Sequence, residues 1–458
     1  MSENINLKII HDEDLTNPLP AIKAANPVFW LNPLRTSPNK SEAIDYLYLK
    51  ELASEASQRF KRFAPLFQDI FPETAENAGI IESSLRELNN FPRIVDQALN
   101  LQVKGKVYLK DDARLPVAGS IKARGGIHAV LCVIETILQR EGISADITDY
   151  RALKKPKYRK LFQGYTTVVS STGNLALSIG ISSLAFGLNT VVFMSRDAKA
   201  WKKNLLRKLG ADLREVDGAY GEAVAAGRKY AAEDAKRFFI DDENSEELFF
   251  GYAVAAEHLA KQLREAKITV DSEHPLFLYL PCGVGGGPGG IATGLELIYG
   301  HHVHCFFGEP VATPAALLGL ATGLGANIDS TDIGLVNRTS ADGLAVSRMS
   351  DLVFKTVKNF LSGVYTVRDE CNLKLLKILH ESEDIFLEPS SLVALAGPYS
   401  FNLNPAGKVY LQKLGDVKEE NITHIAWGTG GGMVPAAEKE IYLKEANSIN
   451  HKLLSLMV

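Results

Sequence analysis

Cysteine is scarce in this sequence: Cys132, Cys282, Cys305 and Cys371 are the four in 458 residues. They lie far apart and lack the paired spacing of a metal knuckle. Neither a disulfide framework nor a thiolate metal site organises the chain. An excess of charge of one sign is missing too. Fifty basic residues face 54 acidic ones, for a formal net charge of −4, which argues against the strongly basic footprint of a nucleic-acid binder. Long apolar runs are also missing. The best uncharged stretch, 311–328, contains Pro314, Gly319, Gly323, Gly325 and Asn327, and reads as a buried helix with its turn rather than a membrane span. The opening residues carry no apolar leader core, and repeats and low-complexity tracts are absent. The expectation is a reduced, cytoplasmic protein with no nucleic-acid or membrane partner.

What is present is ordinary for a packed chain, 46% hydrophobic and 23% charged, and long enough for two or three lobes. A helical period over residues 40–67 and again over 80–101 predicts a mainly helical first hundred residues. Val107–Lys110 reads as a strand, and Ser120 as the cap of a helix over 121–141. Beyond a basic linker, strands and helices alternate: strands over 166–170, 190–194, 275–281, 303–307 and 422–427, helices over 174–186, 198–209 and 294–299. That alternation predicts an α/β architecture with parallel sheets.

Four segments stand at strand ends or helix starts, where open α/β sheets hold ligands. In Gly119-Ser-Ile-Lys-Ala-Arg-Gly125 a lysine begins a helix. The helix dipole and partial desolvation are expected to lower the Lys122 pKa, as suits a Schiff-base lysine; a plain solvated lysine is the alternative. Ser170-Ser-Thr-Gly-Asn174 is either a capping turn or an anion cradle of hydroxyls, the Asn174 amide and first-turn N–H groups. Pro281-Cys-Gly-Val-Gly-Gly-Gly-Pro-Gly-Gly290, between a buried strand and an apolar helix, predicts a phosphate nest. Gly428-Thr-Gly-Gly-Gly432 holds the Thr429 hydroxyl beside backbone open to close approach, or is a glycine turn without a ligand.

Two rival readings exist. Residues 285–290 satisfy a dinucleotide glycine pattern, with Glu309 as the ribose acid of an NAD-dependent oxidoreductase, but this leaves Lys122 and the Ser170–Asn174 segment without roles. His301, His302 and His304 lack accompanying cysteines or carboxylates, and read as surface or capping histidines rather than metal ligands.

In this order, Pro116-Val-Ala-Gly-Ser-Ile-Lys-Ala-Arg-Gly-Gly126, Val169-Ser-Ser-Thr-Gly-Asn174, Pro281-Cys-Gly-Val-Gly-Gly-Gly287 and Ala426-Trp-Gly-Thr-Gly-Gly-Gly-Met433 resemble the fold-type-II pyridoxal-phosphate enzymes, the tryptophan-synthase-β group. Within it the chain resembles the bacterial D-serine dehydratases over nearly its whole length. The resemblance implies a large open twisted α/β domain, residues 1–129 and 251–458 with a helical extension over about 1–100, and a smaller α/β domain inserted at 130–250. It implies that Lys122 holds pyridoxal 5′-phosphate as an internal aldimine and that Asn174 binds the ring 3′-oxygen. The backbone of Gly283, Val284, Gly285, Gly286 and Gly287 would cradle the phosphate, and Thr429 would face the pyridine nitrogen. A neutral hydroxyl there does not enforce a pyridinium, which favours prompt elimination over transamination. The amino-acid substrate's carboxylate would rest on Ser170, Ser171 and Thr172. The Cα proton would go to Lys122 or, on the opposite ring face, to Thr172. Glu309 resembles the carboxylate of a potassium site. The implied reaction is dehydration and deamination of D-serine to pyruvate and ammonia by a monomer or small homo-oligomer. An L-threonine/L-serine dehydratase and a diaminopropionate ammonia-lyase remain alternatives, because no residue reads out chirality.

Overall fold

The computed structural model describes residues 17–35, 45–171, 173–196, 198–217 and 220–457. Among the described residues, eleven strands form two sheets. They are β1 (Phe29–Leu31), β2 (Leu85–Glu87), β3 (Lys106–Asp111), β4 (Thr166–Ser170), β5 (Asn189–Ser195), β6 (Asp212–Val216), β7 (Arg237–Ile240), β8 (Leu276–Pro281), β9 (Val303–Pro310), β10 (Gly363–Val367) and β11 (Thr423–Gly428). The first sheet runs β1-β10-β9-β8-β11-β3-β2 and the second β6-β5-β4-β7. β8, β9 and β11 are buried along their whole length. Helices cover both faces of such strands, so they read as continuous apolar runs without alternation. Register is parallel through the large sheet, with Ala426 beside Leu109 and Tyr279, and turns antiparallel at the edge strands β1 and β2. The second sheet is parallel throughout. The fold class expected from the alternation is the one observed.

Several local expectations need correction. Residues 80–101 are not one helix: β2 precedes a helix over Asn90–Leu99, because Leu85–Glu87 pairs with β3 at the sheet edge. Ser120 is not a helix cap. The helix Lys122–Arg140 starts after Ile121 without a side-chain cap, and the Ser120 hydroxyl is buried without a partner among the described residues. That helix runs unbroken through residue 130. The glycine run is helical sooner than expected, since Gly286–Tyr299 forms one helix. The stretch 311–328 holds a buried eight-residue helix, Ala315–Thr322. Among the described residues no helix is long and apolar enough to cross a membrane.

His304 is neither surface nor cap. It sits buried on β9 with its Nδ1 2.7 Å from the Tyr410 hydroxyl, and burial holds its pKa well below the ordinary histidine value. His424 on β11 and His128 are buried likewise, and burial lowers them to about 4 and about 3. A group whose folded pKa is lowered takes up fewer protons than it does unfolded. Its contribution is therefore present above the unfolded value near 6.5 and is lost as pH falls toward the folded value. Each such histidine contributes a slope of up to about 1.4 kcal/mol per pH unit. Thermal melts from pH 7 to pH 5 should therefore show falling midpoints, less steeply in His424→Asn; parallel curves would contradict this.

Candidate active site

The carboxyl ends of β3, β4, β8 and β11 converge, as ligand-binding crevices of open α/β sheets require. Each leads into one of the four segments singled out by sequence. They form a cleft lined by Lys122, Ser171, Asn174, Gly283, Val284, Gly285, Gly286, Gly287 and Thr429. Residues dispersed over more than 300 positions of sequence thus share one cavity.

Lys122 opens its helix. Its Nζ lies 3.3 Å from Asp242 Oδ1 and 5.7 Å from the centre of the Tyr252 ring. Burial disfavours the ammonium, but Asp242 and Tyr252 outweigh it and hold Lys122 above the ordinary lysine value. The expected lowering is corrected: the helix dipole and desolvation lose to a carboxylate on the strand-end loop after β7. Burial pushes the Tyr252 hydroxyl up to about 12.

Asn174 begins the helix Asn174–Phe186, and its Nδ2 donates to Glu388 Oε1 at 2.7 Å. Ser171 lines the cleft and its Oγ accepts from the Gly173 amide at 3.1 Å. Ser170 does not join them. Its hydroxyl donates to the Ala223 carbonyl at 2.8 Å, on the helix Tyr220–Ala232. Thr172 lies outside the described residues.

The glycine segment leaves β8 and enters the helix at Gly286. Gly285 has φ +107, which L side chains rarely adopt, and a Cβ there would meet Val353 at 3.0 Å. Residues 283–287 line the cleft, and the first-turn N–H groups of the following helix have no intrahelical acceptors. Thr429 ends β11. Its Oγ1 is 3.0 Å from Ser391 Oγ, and its carbonyl accepts from Ile121 N at 2.7 Å.

Glu309 is buried on β9. Its two oxygens accept the amides of Ala316 at 2.7 Å and Leu317 at 2.9 Å, and burial pushes its pKa up to about 8. A carboxylate so engaged, inside the core, is not placed to bind a ribose, which removes the support for the NAD reading. Among the described residues no group of three or more His, Cys, Asp or Glu is gathered to hold a metal ion.

Five lining or neighbouring residues escaped sequence reading: Asp242, Tyr252, Lys202, Asp342 and Glu388. Asp242 follows a strand end, a signal that was readable had β7 been recognised. Glu388 is buried beside the helix Pro389–Leu403, and burial holds its carboxyl above the ordinary glutamate value in spite of Lys202. No sequence pattern marked it.

A family model described as pyridoxal-phosphate dependent enzyme matches residues 88–409. The chain belongs to the pyridoxal-phosphate-dependent enzyme family. Among relatives of this family member, a protein of Geobacillus kaustophilus named probable D-serine dehydratase is 47% identical, covering 93% of this chain and 97% of that one. One of Vibrio cholerae with the same name is 46% identical, covering 95% and 99%. In fold, the enzyme is similar to holo diaminopropionate ammonia lyase from Escherichia coli, with TM-score 0.68, 17% identity and coverage of 92% and 97%. That lyase in complex with D-serine gives TM-score 0.66 at 18% identity, covering 92% of this chain and 97% of that one. The cleft fits the cofactor of the family. It offers an amine for the aldehyde carbon, an amide cradle at a helix N-terminus for the phosphate, and polar tips at Asn174 and Thr429 for the ring.

Proposed function

We propose that this enzyme converts D-serine to pyruvate and ammonia by α,β-elimination. The observation that carries the substrate is the 46–47% identity, over more than nine-tenths of both chains, to proteins named probable D-serine dehydratase. The convergence of Lys122, Asn174, the 283–287 amides and Thr429 on one cleft supports the chemistry.

When bound, pyridoxal phosphate supplies an electron sink for negative charge developing at the substrate Cα. Lys122 Nζ would hold the cofactor aldehyde at rest, Asn174 the 3′-oxygen, the amides of Gly283, Val284, Gly285, Gly286 and Gly287 the phosphate, and Thr429 the ring nitrogen. Ser171 and the neighbouring amides would hold the substrate carboxylate. Ser170 is left out of that role, because its hydroxyl is already engaged by Ala223. Once its amine is free, Lys122 would take the Cα proton, with Thr172 as the candidate on the opposite face. Asp242, within reach of Lys122 Nζ, is placed to receive that proton and return it to the departing β-hydroxyl. The resulting enamine gains water and releases ammonia, leaving pyruvate, so water is lost and regained in balance.

The second sheet and its helices, roughly 130–250, are proposed as a small inserted unit whose closure excludes water. Glu309 is proposed as the carboxylate of a potassium site. A cytoplasmic monomer or small homo-oligomer completes the proposal. Pyruvate release from D-serine and from L-serine, each in potassium and in sodium buffer, tests it. D-serine should be preferred by at least about tenfold in kcat/KM, with potassium giving the higher rate. Preference for L-serine overturns the substrate, and equal rates in both salts overturn the cation.

A further inference from the structure

The cleft contains a second lysine. Lys202 sits on the helix Ala200–Leu209, which follows β5. Its side chain is 3% exposed, yet it lines the same cavity as Ser171 and Asn174. Buried ammonium groups are costly unless their N–H bonds find acceptors. Lys202 donates to Asp342 Oδ2 at 3.0 Å. Its other N–H bonds meet no acceptor among the described residues, and the side chain lines the cleft.

Gly173 lies directly against this side chain. Gly173 has φ 167, extended backbone that any residue adopts. A side chain at 173 would have to push the Lys202 tip aside. A Cβ there would stand 2.4 Å from Lys202 Cδ and 2.6 Å from its Nζ. The glycine thus admits the ammonium directly onto the loop proposed to carry the substrate carboxylate. The other charges facing Lys202 are Asp342 and Glu388. Without Lys202 both carboxylates would repel an anion arriving at that loop, and the loop itself offers only neutral dipoles.

We infer that Lys202 is a substrate-binding residue that recognises the carboxylate of the amino acid, exchanging Asp342 for it when substrate arrives. The inference rests on the amino-acid elimination proposed above and names a further residue of that site. Asp342 is the more exposed partner, with a side chain 26% accessible, so water can replace the ammonium it gives up. The exchange makes and breaks no covalent bond.

The test uses holoenzyme variants Lys202→Met, Lys202→Arg and Asp342→Asn, with D-serine and its uncharged amide, D-serinamide, as substrates. A second readout titrates the cofactor absorption band with D-alanine, which has no leaving group. For Lys202→Met the KM for D-serine and the Kd for D-alanine should rise about tenfold to a hundredfold, the loss of one charge-assisted hydrogen bond. Its kcat should fall far less, and the KM for D-serinamide should stay within about twofold. Lys202→Arg should recover most of the affinity. Asp342→Asn, by removing the competitor, should tighten D-alanine. Equal losses for acid and amide, or weaker D-alanine binding in Asp342→Asn, overturn the assignment and leave Lys202 a structural cation. Wild-type enzyme inert to D-serine refutes the elimination reading instead, a separate outcome.

Discussion

Replacing Lys122 with Ala should lower pyruvate release from D-serine by about a thousandfold or more while leaving the folded state intact. Two proposed roles meet at one atom: holding the cofactor and taking the Cα proton. The half-buried Asp242 also loses the ammonium 3.3 Å away, so added small amines should restore part of the proton transfer but none of the tethering. Lys122 packs at a helix start beside the cleft rather than in the core, which is why stability should change little. Steady-state pyruvate assays with a parallel melting curve check both halves. Retention of more than about a tenth of the activity contradicts the role given to Lys122.

The largest structural effect is expected at Asp112. Fully buried between β3 and the Lys122 helix, it accepts from Arg124 Nε at 2.8 Å and Nη2 at 2.7 Å, from Ser83 Oγ at 2.6 Å, and from Trp427 Nε1 at 2.8 Å. Arg124 stands two residues after Lys122, and Trp427 two residues before Thr429. The carboxylate therefore ties the helix that begins at Lys122 to the strand that leads into Thr429. The backbone bond from Ile121 to Thr429 ties them a second time, on the cleft side. Asp112→Ala leaves the Arg124 guanidinium short of a partner inside the protein, although Glu82 still accepts from it at 2.5 Å. Removing one member of such a buried ionic group costs about 3–5 kcal/mol. Urea unfolding should show that loss, and cofactor affinity should weaken with it as Lys122 and Thr429 lose their fixed spacing. Unchanged stability would mean that Glu82 alone satisfies Arg124.

Much of the site was legible because its parts are local. A glycine run between an apolar strand and an apolar helix has few other uses. A lysine opening a helix, an asparagine opening another and a threonine ending a strand each announce themselves by position. What pairs with them was not legible. Asp242, Glu388 and Asp342 reach the cleft by tertiary placement, and their identity as carboxylates is commonplace on any surface. The Lys122 pKa went the wrong way for this reason, since a neighbour absent from the local pattern outweighs the helix dipole. Ser170 illustrates the converse. Its place in a promising segment is right, but strand alternation turns its side chain away from the cleft while Ser171 enters it. In the fold, the long buried strands were readable as apolar runs. The three-residue edges β1 and β2, and the half-exposed β6 and β7, carry too little pattern to show before their partners are known.

The claim on which the rest depends is that Lys122 carries the cofactor. Holoenzyme reduced with borohydride, digested and weighed should place a pyridoxyl mass on the peptide containing Lys122. The same mass on the Lys202 peptide, or on none, would contradict it.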